Sequence, residues 1–479
     1  MTRTEHLHAF SDDALGDHDA VALADLIRRR ELSAAEVEAA AVARLARVAA
    51  PLNAVAHPAY DRPRRSDDVD APFHGVPTLV KDNTDLAGMP TNHGTAAYVA
   101  KPATSDGRYA QQFLRTGMTV LGKSRMPEFG LNATTEFRDS DPTLNPWNTA
   151  YSVGASSGGA AALVAAGAVP IAHANDGGGS IRIPAAAAGL IGLKPSRRRH
   201  IDGEAARMMP INLISEGVVT RSVRDTAAFM AAMELRWRNP GLAPIGAVEG
   251  PARRRLRVGL LLESVTGTVV DSETRAAVER CARLLEDQGH VVEPIPVPVE
   301  ARFADDFETY WGLLAAMTGG LGKVTFDRSF DAGKLDGLTE GLRRSFTRGG
   351  WARTPGALRW LRRAAARYAR AFDRCELILS PVVANVTPRL GHLSPQVPFG
   401  ELMSRLRDHV AFTPMQNIAG TPAISLPMAT SKQGLPIGVQ LAAAYGDERT
   451  LLEVAFALEG QTTWPRIQDL PQPHAVQGV

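Results

Sequence analysis

The sequence predicts an α/β fold with a layered core, and two patterns predict it. From about residue 74 to 230, short apolar runs alternate with helix-like segments. Residues 251–300 then read as strand, helix and strand, a βαβ-like unit. A chain of 479 residues can bury a large core. Length alone suggests two to three domains, but large α/β enzymes often stay in one piece.

The elements follow in chain order. Residues 17–49 read as two helices; Ser33 and Glu36 form an S-x-x-E capping signal before apolar periodicity. Residues 61–72, DRPRRSDDVDAP, are a polar loop. Within 74–230, VPTLV is strand-like, a helical piece surrounds Ala110–Arg115, and MTVLG is strand-like again. Residues 243–254 are rich in Pro, Gly and Arg and read as a surface crossing. LRVGLLL is a strand, SETRAAVERCARLLEDQG a helix ending at Gly289, and HVVEPIPV a strand. Residues 300–375 are helical and irregular, with Phe307, Tyr310 and Trp311. Pro355 to Arg374 is a basic amphipathic helix whose charges read as a solvated face. ELILSPVV (376–383) and PAISLPMA (422–429) are strand-like. There is no internal repeat.

Composition excludes several classes. A formal net charge of +2 gives no general pull toward nucleic acid or membrane. The two cysteines, Cys281 and Cys375, have no Cys or His at metal spacing, so neither a zinc site nor a disulfide framework is expected. The N-terminus MTRTEHLHAFSDDAL is polar, without an apolar signal region, and no apolar run reaches spanning length. The expected location is the cytoplasm. Only seven of the 53 basic residues are lysines, which makes Lys81, at the end of the apolar TLV run, a notable residue.

Three motifs compete to carry chemistry. Gly117 to Ser124 matches the phosphate-loop pattern G-x-x-x-x-G-K-S, but QQFLRT before it is helical, MTVL inside it is strand-like, and Pro127 follows where a helix should run. Lys123 reads as a strand-end residue. Gly154-Ala-Ser156-Ser-Gly158 matches the nucleophile elbow G-x-S-x-G, which would need a later Asp and a histidine such as His290, His392 or His409. The third reading joins Ser156, Ser180 and Lys81. Two serines in glycine-rich turns and a lysine beside apolar residues are parts for acyl transfer without histidine. Asp176-Gly177-Gly178-Gly179-Ser180 sets successive backbone N–H groups beside a hydroxyl, as an oxyanion hole requires.

The stretch GASSGGAAALVAAGAVPIAHANDGGGSIRIPAAAAGLIGLKPS resembles the core of the amidase signature family. GVPTLVKDN, LGKSRMPEFG, NPWN and NIAGTPAISLPM resemble it too, so the likeness covers roughly residues 20–460. The resemblance implies a single α/β domain over 1–479, with a mixed, mostly parallel central sheet flanked by helices on both faces. Within it lie a signature core (74–230), a substrate-shaping region (300–375) and a C-terminal part of the core (376–460). It implies a Ser–cis-Ser–Lys triad: Ser180 as nucleophile, Ser156 as bridging serine after a cis bond, and Lys81 as base. Gly177, Gly178 and Gly179, with the Ser180 amide, match the oxyanion loop; Ser157, Asp176 and Asn175 match supporting positions.

The chain departs from the family at Asn175, where threonine is frequent, at Ala155, where glycine is usual, and at Arg197-Arg198-Arg199 after LKPS. The ANDGGGS turn is similar to that of amidases acting on nylon-oligomer cyclic dimers. The segment Ile214-Ser-Glu216-Gly-Val-Val219 lacks the Asp and Gln typical of tRNA-dependent amidotransferase subunits in the family.

The implied activity is hydrolysis of small to medium neutral amides with an apolar or aryl part. Carbamates, nylon-oligomer-type cyclic amides and some esters are alternatives. No cofactor and no metal are expected. The partner is a small-molecule amide or carbamate, with no nucleic acid and no membrane, and the chain is a monomer or homodimer. An α/β-hydrolase-type esterase using Ser156 and a histidine, and a non-catalytic binding protein, are the rival classes. Loop 131–150 and region 300–375 are expected to shape the pocket.

Overall fold

The structure, a computed structural model, describes residues 6–470; the outermost parts of the expected 1–479 domain and of the polar N-terminus lie outside them. The N-terminal helices form as the sequence indicates, α1 over Ala20–Arg28 and α2 over Ala34–Leu52. The capping box is made: Ser33 Oγ accepts the Glu36 N–H at 3.2 Å, and Glu36 Oε2 accepts the Ser33 N–H at 2.8 Å.

A small sheet follows. β1 (Val55–Pro58) and β2 (Pro77–Lys81) flank β3 (Thr119–Ser124), with α3 (Arg108–Leu114) leading into β3. The phosphate-loop match therefore lies along a strand. Lys123 sits in β3 and donates to Pro90 O at 2.7 Å and to the Thr91 hydroxyl. Next come α4 (Gly158–Ala165), β4 (Ile171–Asp176), α5 (Arg182–Ala188), β5 (Ile191–Lys194), α6 (Glu204–Met208), β6 (Ser215–Thr220) and α7 (Val223–Arg236). Every residue of α4 is buried. An all-apolar helix with small side chains can sit only in the interior, and this one packs against α2, α5, β2, β4 and β6.

The βαβ unit is β7 (Arg257–Leu260), α8 (Ser272–Asp287) and β8 (Val291–Pro294), with β7 and β8 parallel. Region 300–375 is helical: α9 (Phe303–Thr325), α10 (Gly337–Ser345) and α11 (Trp351–Ala369). β9 (Leu377–Pro381), α12 (Phe399–His409), α13 (Pro414–Ala419), β10 (Ala423–Thr430), β11 (Pro436–Ala443) and α14 (Glu448–Gln461) complete the chain.

The large sheet has eight strands in the order β4-β6-β5-β10-β11-β9-β7-β8. It is mixed and flanked by helices, as expected, but the pairing is not mostly parallel. Only β9·β7 and β7·β8 are parallel; the five other neighbouring pairs are antiparallel. Two features cause this. The short connection between β10 and β11 forces a hairpin, which is antiparallel. And β6 inserts between β4 and β5, running opposite to both.

The free edge of β2 in the small sheet comes to lie beside β4, the outer strand of the large sheet. The candidate site is built at this junction.

Candidate active site

Lys81 ends β2 and is wholly buried. Its Nζ lies 2.7 Å from Ser156 Oγ, 3.0 Å from Ser157 Oγ and 2.8 Å from Asn175 Oδ1. Ser157 Oγ donates onward to Asn175 O at 3.3 Å, so it accepts from lysine. A neutral amine has two N–H groups and one lone pair. It can donate to Ser157 and Asn175 and accept the Ser156 proton, which satisfies all three contacts. Burial pushes the Lys81 ammonium down to about 7, against the opposing pull of the Glu216 and Asp176 carboxylates.

Ser156 and Ser157 sit in the glycine turn ahead of α4. Gly154 (φ +89) makes the turn: a Cβ there would meet Pro184 Cα at 2.8 Å. Ser180 lies after β4 in the second turn, 8% exposed. Its Oγ accepts the Ser156 backbone N–H at 3.3 Å. Among the described residues no hydrogen bond joins the two hydroxyls. The bond before Ser156 is trans, since the described residues contain no cis peptide bond; the expected cis bond is not present. Trans is the low-energy form of a non-proline peptide.

The three glycines differ. Gly179 N–H is engaged by Asp176 Oδ1 at 2.7 Å. It is therefore not free to hold a ligand oxygen. Among the described residues the amides of Gly177, Gly178 and Ser180 have no protein acceptor. Gly179 has φ +133, and a Cβ there would fall 2.5 Å from Thr413 Oγ1. Only glycine fits that site.

Asp176 is held by Arg182, Nε to Oδ2 at 2.9 Å and Nη2 to Oδ1 at 3.0 Å, both side chains fully buried. Burial pushes the Asp176 carboxyl up, but the Arg182 charge and hydrogen bonds outweigh it and hold the group below the usual carboxylate range. Arg182 also donates to Gln416, Gln440 and Asn417.

Four residues of this site were not singled out from sequence. Arg182 and Asn417 lack a clear local signal. Arg182 has Asp176 only six residues before it, but its other partners Gln416, Gln440 and Asn417, like the partners of Asn417 itself, are remote in the chain. His173 and Glu216 do carry one: each is a polar residue inside an apolar strand. Lys81 N–H donates to His173 Nδ1 at 3.1 Å, and His173 Nε2 lies 3.0 Å from Glu216 Oε2.

Beside Ser180 opens a cavity of about 90 Å³. Leu131, Asn132 and Ala133 line it, with Phe303, Phe307 and Trp311 of α9 and Leu338 and Leu342 of α10. Both regions expected to shape a pocket thus contribute, but α11 does not. Met403, Leu406 and Arg407 of α12 form a wall the sequence did not indicate. His290, His392 and His409 make no hydrogen bond to either serine among the described residues. His290 accepts the Leu256 N–H and His409 pairs with Asn385.

Residues 27–452 match the sequence profile of the amidase family. The chain belongs to the amidase family. This removes the α/β-hydrolase elbow reading. The amidase is 47% identical to AmiC of Mycobacterium leprae, named as an amidase, over 97% of this chain and 99% of that protein. It is 34% identical to the 6-aminohexanoate-cyclic-dimer hydrolase of Paenarthrobacter ureafaciens, over 93% of this chain and 95% of that protein. Among solved structures, a 6-aminohexanoate cyclic dimer hydrolase superposes with a TM-score of 0.85 at 31% identity, covering 97% of this chain and 99% of that one. The amidase is thus a single α/β domain of an enzyme family that hydrolyses amides. No helix among the described residues is long and apolar enough to cross a membrane.

Proposed function

We propose that this amidase hydrolyses neutral amides through an acyl-enzyme on Ser180, with Ser156 as proton bridge and Lys81 as base. The contact that carries the reading is Lys81 Nζ to Ser156 Oγ at 2.7 Å, buried, one turn from Ser180 and its cavity. Neutral Lys81 takes the Ser156 proton as the Ser156 oxygen takes that of Ser180. For this the Ser180 hydroxyl turns toward Ser156 Oγ when substrate binds. Ser180 attacks the carbonyl, and the free amides of Gly177, Gly178 and Ser180 hold the oxyanion. The protons then return through Ser156 to the departing amine, and water hydrolyses the ester.

The cavity refines the substrate class. An apolar cavity of about 150 Å³ binds benzene, whereas this one measures about 90 Å³. The narrower space suits a slender aliphatic chain better than an aryl group. That favours aliphatic amides, and the likeness to the cyclic-dimer hydrolase supports cyclic aliphatic amides as a second reading. Carbamates pass through the same tetrahedral geometry and remain substrates on this reading.

A panel of aliphatic amides, anilides, cyclic amides, carbamates and p-nitrophenyl esters tests it, with the acyl-enzyme mapped by mass spectrometry. Acylation of Ser180, abolished in Ser180→Ala, is the expected result. Acylation elsewhere, or wild-type turnover by Ser180→Ala, overturns it.

A further inference from the structure

The base and the nucleophile stand on different sheets. Lys81 belongs to the small sheet, whereas Ser180 follows β4 of the large one. No backbone ladder pairs β2 with β4. Side chains join the two edges instead: Thr78 Oγ1 donates to Ile171 O at 3.0 Å, and the Lys81 N–H donates to His173 Nδ1 at 3.1 Å.

The second bond defines the His173 tautomer. A nitrogen that accepts an N–H carries no proton, so the proton is on Nε2 and is donated to Glu216 Oε2, 3.0 Å away. The sheet register makes this pair. Asn175 of β4 stands opposite Glu216 of β6, and His173, two residues back, shares that face. His173 is fully buried and Glu216 9% exposed, and Tyr109 covers the imidazole with centroids 4.9 Å apart.

From this geometry we infer that Glu216 and His173 are positioning residues for Lys81. His173 fixes the main chain of the base against the nucleophile's sheet, and Glu216 fixes His173 and brings a negative charge opposite Asn175, whose side chain touches the amine. The inference rests on the reading of Lys81 as base.

The charged groups acting on Lys81 are Glu216 from β6 and Asp176 from β4; from the turn ahead of α4 it meets only the neutral hydroxyls of Ser156 and Ser157. Asp176 is engaged by Arg182. Glu216 has no Lys or Arg partner among the described residues, so its charge is the less compensated of the two. It favours the ammonium, which keeps the lysine from titrating at still lower pH.

Glu216→Gln separates charge from geometry, because the glutamine oxygen still accepts from His173. With only seven lysines in the chain, Lys81 can be followed by NMR of lysine-labelled protein, independently of turnover. In Glu216→Gln its titration, and with it the acid limb of kcat/KM, moves to lower pH by about 0.5–1 unit. Glu216→Asp keeps the charge but shortens the reach. It leaves the titration near wild type and lowers kcat about tenfold or more through the loosened His173; it serves also if the glutamine variant does not fold. A Lys81 titration in Glu216→Gln that superposes on wild type overturns the electrostatic role, and wild-type kcat in Glu216→Asp overturns the positioning role. Failure of the parent reading looks different: Ser180→Ala then turns over normally, whatever the lysine titration shows.

Discussion

Arg182 grips Asp176 through two parallel hydrogen bonds, both side chains without measurable exposure. Asp176 also accepts from the turn that follows, from Gly179 N–H at 2.7 Å and Ile181 N–H at 3.2 Å, and from Asn417 Nδ2 at 2.8 Å. The ion pair is thus the base on which the Ser180 turn is folded.

Breaking that pair leaves a buried charge alone. Asp176→Asn is expected to destabilise the protein by about 3–5 kcal/mol, since the Arg182 guanidinium loses its counter-charge. Denaturant unfolding at pH 7 measures it. The carboxyl titrates lower in the folded protein than in the unfolded chain. Its contribution is therefore complete above the unfolded value of about 3.9 and is lost as pH falls below it. The gap between wild type and Asp176→Asn should narrow in acid.

Lysine acts as base only when uncharged. With its titration near 7, kcat/KM should rise with pH through a limb centred there and stay level above it. An activity maximum near pH 5 is incompatible with this base. Lys81→Met should lower kcat by about 10²–10⁴-fold while leaving the circular dichroism spectrum unchanged.

The glycines of the turn are not equivalent. At Gly177 an added Cβ would meet only Ile214 Cγ1, at 3.7 Å, whereas at Gly179 it would strike Thr413 and Ile183 with φ at +133. Gly179→Ala should cost about 1–3 kcal/mol in backbone strain alone, and turnover should fall with it. Gly177→Ala should unfold at the wild-type temperature. Thermal melts of the two variants compare them directly.

Trp311 limits the cavity. Its ring lies 3.2 Å from where a Cβ on Gly178 would stand, and Phe307 packs edge-on against it at 5.0 Å. Trp311→Ala should open room for a ring and raise kcat/KM for benzamides over hexanamides by about tenfold, the scale of a methylene-sized fit. An unchanged ratio would place the acyl group elsewhere.

Much of this was legible beforehand because the signals are local. The capping box at Ser33 and Glu36, the βαβ unit at 256–297 and the two glycine-serine turns each lie within a short segment. Asn175 was visible as a departure from the family, but its contact with Lys81 was not. His173 and Glu216 could have been found: each interrupts an apolar strand with a polar side chain, which needs a partner when buried. The full setting of Arg182 could not: Asp176 is close in the chain, but Gln416, Asn417 and Gln440 reach it only once β11 and α13 are packed around α5.

The sequence by itself determined the family, the α/β class and the small-residue turns, since these depend on motif, period and backbone freedom within a few residues. Tertiary structure decided the antiparallel bias of the sheet, the contact between edges β2 and β4, and the partners of the buried lysine. Strand alternation says which face a side chain takes but not what it meets there. That is settled only when distant elements bury their apolar faces together and every enclosed polar atom has to find a mate.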